Sequence, residues 1–107
     1  MSTKLWVAYS YCPASNLDSV TVNGVYDSKS RAIKGILNII KNSFEIYYIK
    51  EGNDSFLAEP QFNKLTADFQ WADIEIILKK NLEKNHECEF REFVYYYTNV
   101  NLNKDYD

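Results

Sequence analysis

The chain has 107 residues, 46% hydrophobic and 16% aromatic, which is enough apolar material for one domain around a single core. A formal net charge of -3 argues against a protein given over to gripping a phosphate backbone, which needs clustered positive charge over a wide surface. No stretch approaches the ~20 apolar residues of a membrane-spanning helix, Met1-Ser2-Thr3-Lys4 does not open a secretory signal, and Cys12 and Cys88 are therefore expected as reduced thiols of a cytosolic protein.

Residues 5–11 alternate as a strand, with Leu5, Val7, Tyr9 and Tyr11 on one face and Trp6 and Ala8 on the other. Cys12-Pro13-Ala14-Ser15-Asn16 breaks it, and Val20 to Tyr26 forms a second strand in which Asn23-Gly24 makes a bulge or bend. Ser28 caps a first helix whose Ala32, Ile33, Ile36, Leu37 and Ile40 recur on one face, with Asn42 as its terminator. Residues 44–50 then read as a third strand, turning through 51–55 into a short arm at Phe56-Leu57-Ala58 that Pro60 limits.

A second helix carries Trp71, Ile74, Ile77, Leu78 and Leu82 at spacings of three and four, with Thr66 or Asp68 as its cap and Asn85 as its end. A single last strand is expected over residues 87–98, followed by a polar tail, 99–107, expected to fray. The expected fold is one α+β domain, a two-layer sandwich of about five strands, antiparallel or mixed, with two helices on one face in the order β-β-α-β-β-α-β.

Two helices cover one face of a sheet only, so some of the rings of Tyr9, Tyr11, Tyr47, Tyr95 and Tyr97 should stand on the uncovered face. Solvent-facing tyrosines often do no more than form cross-strand pairs, whereas a contiguous aromatic patch marks a binding surface. On the last strand one register reads Glu87, Glu89, Arg91, Phe93, Tyr95, Tyr97, and the sequence selects Tyr47, Phe93, Tyr95, Tyr97 and Glu89 as contacts for a protein partner.

Signals for catalysis are sparse. His86 stands two residues before Cys88, and with Cys12 these make at most three ligands, short of a closed zinc site. A thiol enzyme would need an orienting group that no motif here supplies. Asp68, Asp73 and Glu75 suit the start of a helix through its dipole, and Gly24, Gly35 and Gly52 form no phosphate loop. No catalytic residue, metal site or cofactor is assigned.

Residues 25–36, Val-Tyr-Asp-Ser-Lys-Ser-Arg-Ala-Ile-Lys-Gly-Ile, resemble a strand-cap-helix pattern of small phage- and mobile-element-encoded α+β proteins. That group includes anti-CRISPR proteins and other inhibitors of host factors, and the resemblance implies a non-catalytic mode without assigning any residue a role. The leading expectation is thus a non-enzymatic interaction factor that binds a host protein stoichiometrically, as a monomer or homodimer. The alternative is a single-stranded nucleic-acid or nucleotide binder whose sheet aromatics stack on bases while Lys29, Arg31, Lys34 and Lys41 meet phosphate.

Overall fold

The elements run β1 (Ser2–Tyr11), β2 (Thr21–Tyr26), α1 (Lys29–Phe44), α2 (Trp71–Asn85), β3 (Glu87–Phe90) and β4 (Phe93–Asn103). The computed structural model describes residues 2–14 and 20–103, with side chains for 4–14 and 20–101. The strands form one antiparallel sheet in the order β2-β1-β4-β3. The chain is therefore α+β with four strands among the described residues.

Both helices pack on the same face of this sheet, and the pairing of β1 with β4 explains why. On the inner face the small residues Ala8 and Ser10 lie opposite Tyr97 and Tyr95, so each large ring meets a small partner and the helices can approach. Ala32, Ile36 and Ile40 from α1 and Ile74, Leu78 and Leu82 from α2 are fully buried against this face, together with Phe90 and Cys88 of β3.

Helix α1 begins as its sequence suggests, with Ser28 Oγ accepting the Arg31 N–H at 3.2 Å. Its inner stripe is the anticipated one. The start of α2 lies later than Thr66 or Asp68: Gln70 is the cap residue, and its N–H donates to Asp73 Oδ2 at 2.8 Å. The bend at Asn23-Gly24 is a bulge, since Ala8 pairs with Gly24 and Tyr9 with Val22, which leaves Asn23 as the extra residue.

Two expectations are overturned. The strand expected at 44–50 is helical: α1 runs past Asn42 to Phe44 and continues as a wider, π-wound turn, Glu45–Lys50, closed by the Glu51 N–H on Ile46 O at 3.2 Å. The reason is aromatic. In a strand Phe44 and Tyr48 would stand ~13 Å apart, whereas the helical turn stacks their rings at 5.2 Å and brings Tyr48 against Phe56 and Phe69 at 5.4 and 5.3 Å. The arm expected at Phe56-Leu57-Ala58 is accordingly a 3₁₀ turn, Ser55–Ala58.

The single last strand is in fact two. Arg91 and Glu92 adopt φ of 51° and 73° and reverse the chain between Phe90 and Phe93, which pair directly. Such a two-residue hairpin favours Asn-Gly, so Arg-Glu gave no turn signal. Strand β4 in turn continues beyond Thr98 to Asn103, into the expected tail, while residues 104–107 lie outside the described ones.

Candidate protein-interaction face

The sheet's outer face is largely apolar across β2, β1 and β4. The cross-strand register places Leu5 opposite Val100, Val7 opposite Val25 and Thr98, Tyr9 opposite Tyr96 and Val22, and Tyr11 opposite Val94. The Tyr9 and Tyr96 rings stack at 5.1 Å, and Tyr11 meets Tyr96 edge-on at 5.9 Å, which makes an aromatic ridge along the β1–β4 seam. Val94 is buried, 4% exposed, and the other side chains of this face stand outside the buried core.

Exposure on this face grows toward β2, where Val22 and Val25 are 57% and 56% exposed. The bulge at Asn23 matters here. Residues three apart would normally face opposite sides of a strand, but the extra residue returns Val22 and Val25 to the same face. At the opposite border, Glu87 pairs with Tyr96 and Glu89 with Val94, so two exposed carboxylates rim the apolar surface.

The structure divides the residues selected from sequence. Tyr95 and Tyr97 lie on the inner face, 7% and 3% exposed, and offer a partner no surface. Burial pushes both phenols above their ordinary range, and the Tyr97 hydroxyl donates to Leu82 O at 2.9 Å, closing the end of α2. Tyr47 is half-buried beneath Arg91 at the foot of the hairpin. Phe93 is exposed but lies in the inner-face register with Phe90. Glu89 alone of the five stands on the outer face. The outer aromatic surface is thus Tyr96 and Thr98 of β4 joined to Tyr9 and Tyr11 of β1, with Val94 of the same register buried. Ala8 and Ser10, too small to be the exposed side of a β1 covered by helices, were the available signal.

Lys29, Arg31, Lys34 and Lys41 do come together. They line a groove of about 910 Å³ between α1 and α2, where Lys79 joins them. This groove lies on the helical layer, on the far side of the molecule from the outer sheet face. The outer-face tyrosines and these lysines therefore share no common surface.

Behind the β3–β4 hairpin, a polar cleft of about 390 Å³ is lined by Glu59, Gln61, Asn81, Asn85 and Glu87, among others. Asn81 Nδ2 donates to Gln61 Oε1 at 3.0 Å, Gln61 Nε2 to Glu89 O at 2.7 Å, and the Arg91 N–H to Glu59 Oε2 at 3.3 Å. Burial raises the Glu59 carboxyl above its usual range, against the opposing pull of the Arg91 N–H. These groups satisfy one another, and the cleft braces α2 to the hairpin.

Cys12, His86 and Cys88 are not assembled. Cys12 follows the end of β1, Cys88 is buried on β3 two strands away, and His86 is exposed at the left-handed end of α2. Burial, followed by the nearby Glu59, Glu87 and Glu89 carboxylates, pushes the Cys88 thiol up to about 12, which keeps it protonated and un-nucleophilic. Among the described residues no group of three or more His, Cys, Asp or Glu side chains is placed to hold a metal ion, and no helix is long and apolar enough to cross a membrane.

No protein-family model, curated protein or solved structure matches the chain.

Proposed function

We propose that this protein is a non-catalytic binding factor that docks a partner protein on the outer face of its sheet. The observation that carries this reading is the uncovered apolar surface formed by Val7, Tyr9, Tyr11, Tyr96, Val22 and Val25. A lone exposed valine needs no explanation, but a contiguous patch with stacked tyrosines is what protein interfaces are made from. Glu87 and Glu89 at its border favour a partner whose own apolar patch is rimmed by lysine or arginine.

The mode of action is stoichiometric occupancy. Tyr11 and Tyr96 are the anchors, since their rings are large, rigid and already held by aromatic neighbours, so little side-chain freedom is lost on binding. Inhibition of a host or defence protein by covering its surface is a form of action available to such a module.

Affinity capture from nuclease-treated lysate tests the proposal, with the wild-type chain and a Tyr11→Ser/Val25→Glu variant compared side by side. Both positions are exposed, so the variant keeps its fold. One protein retained in stoichiometric amount by the wild type and lost from the variant supports the outer face, with a cost of roughly 2 kcal/mol or more for the anchor. Equal retention by both chains refutes it.

A further inference from the structure

The edge of a sheet is an open row of backbone donors and acceptors, and another strand can add to it unless something blunts it. Most of this sheet's edge is blunted. β2 is interrupted by the bulge at Asn23. β3 is four residues long and carries the exposed Glu87 and Glu89, and its Glu89 carbonyl already accepts from Gln61 Nε2 at 2.7 Å. The end of β1 beyond the Trp6–Tyr26 pair carries the exposed Lys4, whose charge opposes pairing with its like.

The end of β4 has none of these devices. β3 stops opposite Tyr96, while β4 runs on through Thr98-Asn99-Val100-Asn101, a stretch without charge and exposed throughout. One contact fixes which way its backbone points. The Tyr97 N–H donates to His86 O at 3.3 Å, so the backbone groups of Tyr97 face the β3 side. Alternation along the strand turns those of Asn99 and Asn101 the same way, past the end of β3, where among the described residues no hydrogen bond reaches them. From Val100 onward the sheet is only β1 and β4, and a two-stranded ribbon is marginal by itself.

The stretch about Val100 reads Asn-Val-Asn in both directions, which suits a copy of itself. Laid antiparallel about Val100, Asn99 of one copy exchanges both backbone hydrogen bonds with Asn101 of the second copy. Their amide side chains then stand opposite each other on the inner face, each able to donate and accept, and the two Val100 side chains meet on the outer face. The rest of each copy keeps clear. The Tyr97 hydroxyl holds the end of α2 and β3 pairs no further than Tyr96, so both lie on the Phe93 side of the axis in one copy and on the opposite side in the other. We infer that this chain forms a two-fold dimer by antiparallel pairing of the β4 ends about Val100, which joins two four-stranded sheets into one.

This dimer and the outer-face partner use different surfaces, and the test separates them. Sedimentation velocity of the full chain from about 1 to about 500 μM should show the monomer converting to a species of twice the mass. The Asn101→Pro chain should stay monomeric over that range with unchanged circular dichroism, because proline there removes an N–H that points away from β1. The Asn99→Lys/Asn101→Lys chain, whose exposed substitutions set like charges against each other, should stay monomeric too, and it decides the matter should proline perturb β4. The Tyr11→Ser/Val25→Glu chain should dimerise as the wild type does. A wild-type chain that is monomeric throughout, a dimer that survives in the Asn99→Lys/Asn101→Lys chain, or a dimer dissolved by Tyr11→Ser/Val25→Glu overturns the inference.

Discussion

The Arg91 guanidinium carbon lies 3.5 Å from the centre of the Tyr47 ring, which ties the β3–β4 hairpin to the π-wound turn at the end of α1. Arg91 holds a left-handed backbone conformation and its buried Nε finds no hydrogen-bond partner, so its side chain is retained by the stacking contact while its backbone N–H is held by Glu59 Oε2. A double-mutant cycle on Tyr47→Leu and Arg91→Ala should show a coupling of about 0.5–2 kcal/mol in urea denaturation. Additive single effects would mean that the stack contributes nothing.

The same hairpin holds a second non-glycine residue, Glu92, at φ 73°. Glu92→Gly removes the steric cost of that conformation and supplies the residue the turn prefers, so a gain of about 1 kcal/mol is expected. A loss of stability on this change would show that the Glu92 side chain makes a contact outweighing the strain.

These two turns also mark where the sequence was legible and where it was not. Periodicity located α1 and α2, the β1 alternation and the Asn23-Gly24 bulge, because each is a local pattern. Glu45 to Lys50 reads as a strand by β-branched and aromatic content, and only the rings of Phe56, Phe69 and Trp71, remote in sequence, turn it into helix. Arg91-Glu92 forms a tight turn without turn residues because Tyr47 and Glu59 hold it from outside. For the candidate site, the existence of an uncovered aromatic face was readable, but its register was not. Choosing Tyr96 over Tyr95 and Tyr97 depends on which β1 residues lie opposite, and that is a tertiary fact.

Tyr26 reaches from β2 into the space beside Gly35 of α1, and a Cβ added at Gly35 would collide with its hydroxyl and ring. Gly→Ala within a helix ordinarily stabilises by about 1 kcal/mol. Gly35→Ala should instead destabilise by about 1–3 kcal/mol, with partial recovery when Tyr26→Phe removes the hydroxyl. Increased stability of Gly35→Ala alone would show that the ring moves aside at little cost.

Stability should decline at alkaline pH. The Cys88 thiol is pushed up to about 12 by burial and nearby carboxylates, and burial raises Tyr95 and Tyr97 as well. The unfolded chain ionises its thiol near ~8.5 and so binds fewer protons than the folded one, which makes stability fall as pH rises. The contribution is fully present below about pH 8.5 and is lost progressively as pH approaches the folded-state value. The urea midpoint should therefore drop above about pH 9, and less steeply in Cys88→Ala. In the native chain Cys12 should react with a thiol reagent well before Cys88; faster reaction at Cys88 would contradict its placement in the core.

The most direct test of the outer-face proposal is site-specific photocrosslinking, with a benzophenone amino acid placed at Tyr11, at Val25 or at the exposed helix position Lys80. Cells expressing each chain are irradiated, and the adducts are identified by mass spectrometry. One protein crosslinked in high yield from both Tyr11 and Val25 and not from Lys80 is the expected result, and an adduct of twice the chain's mass would identify that partner as a second copy. The same protein captured from Lys80 but from neither Tyr11 nor Val25 would contradict the account and move recognition to the helical side.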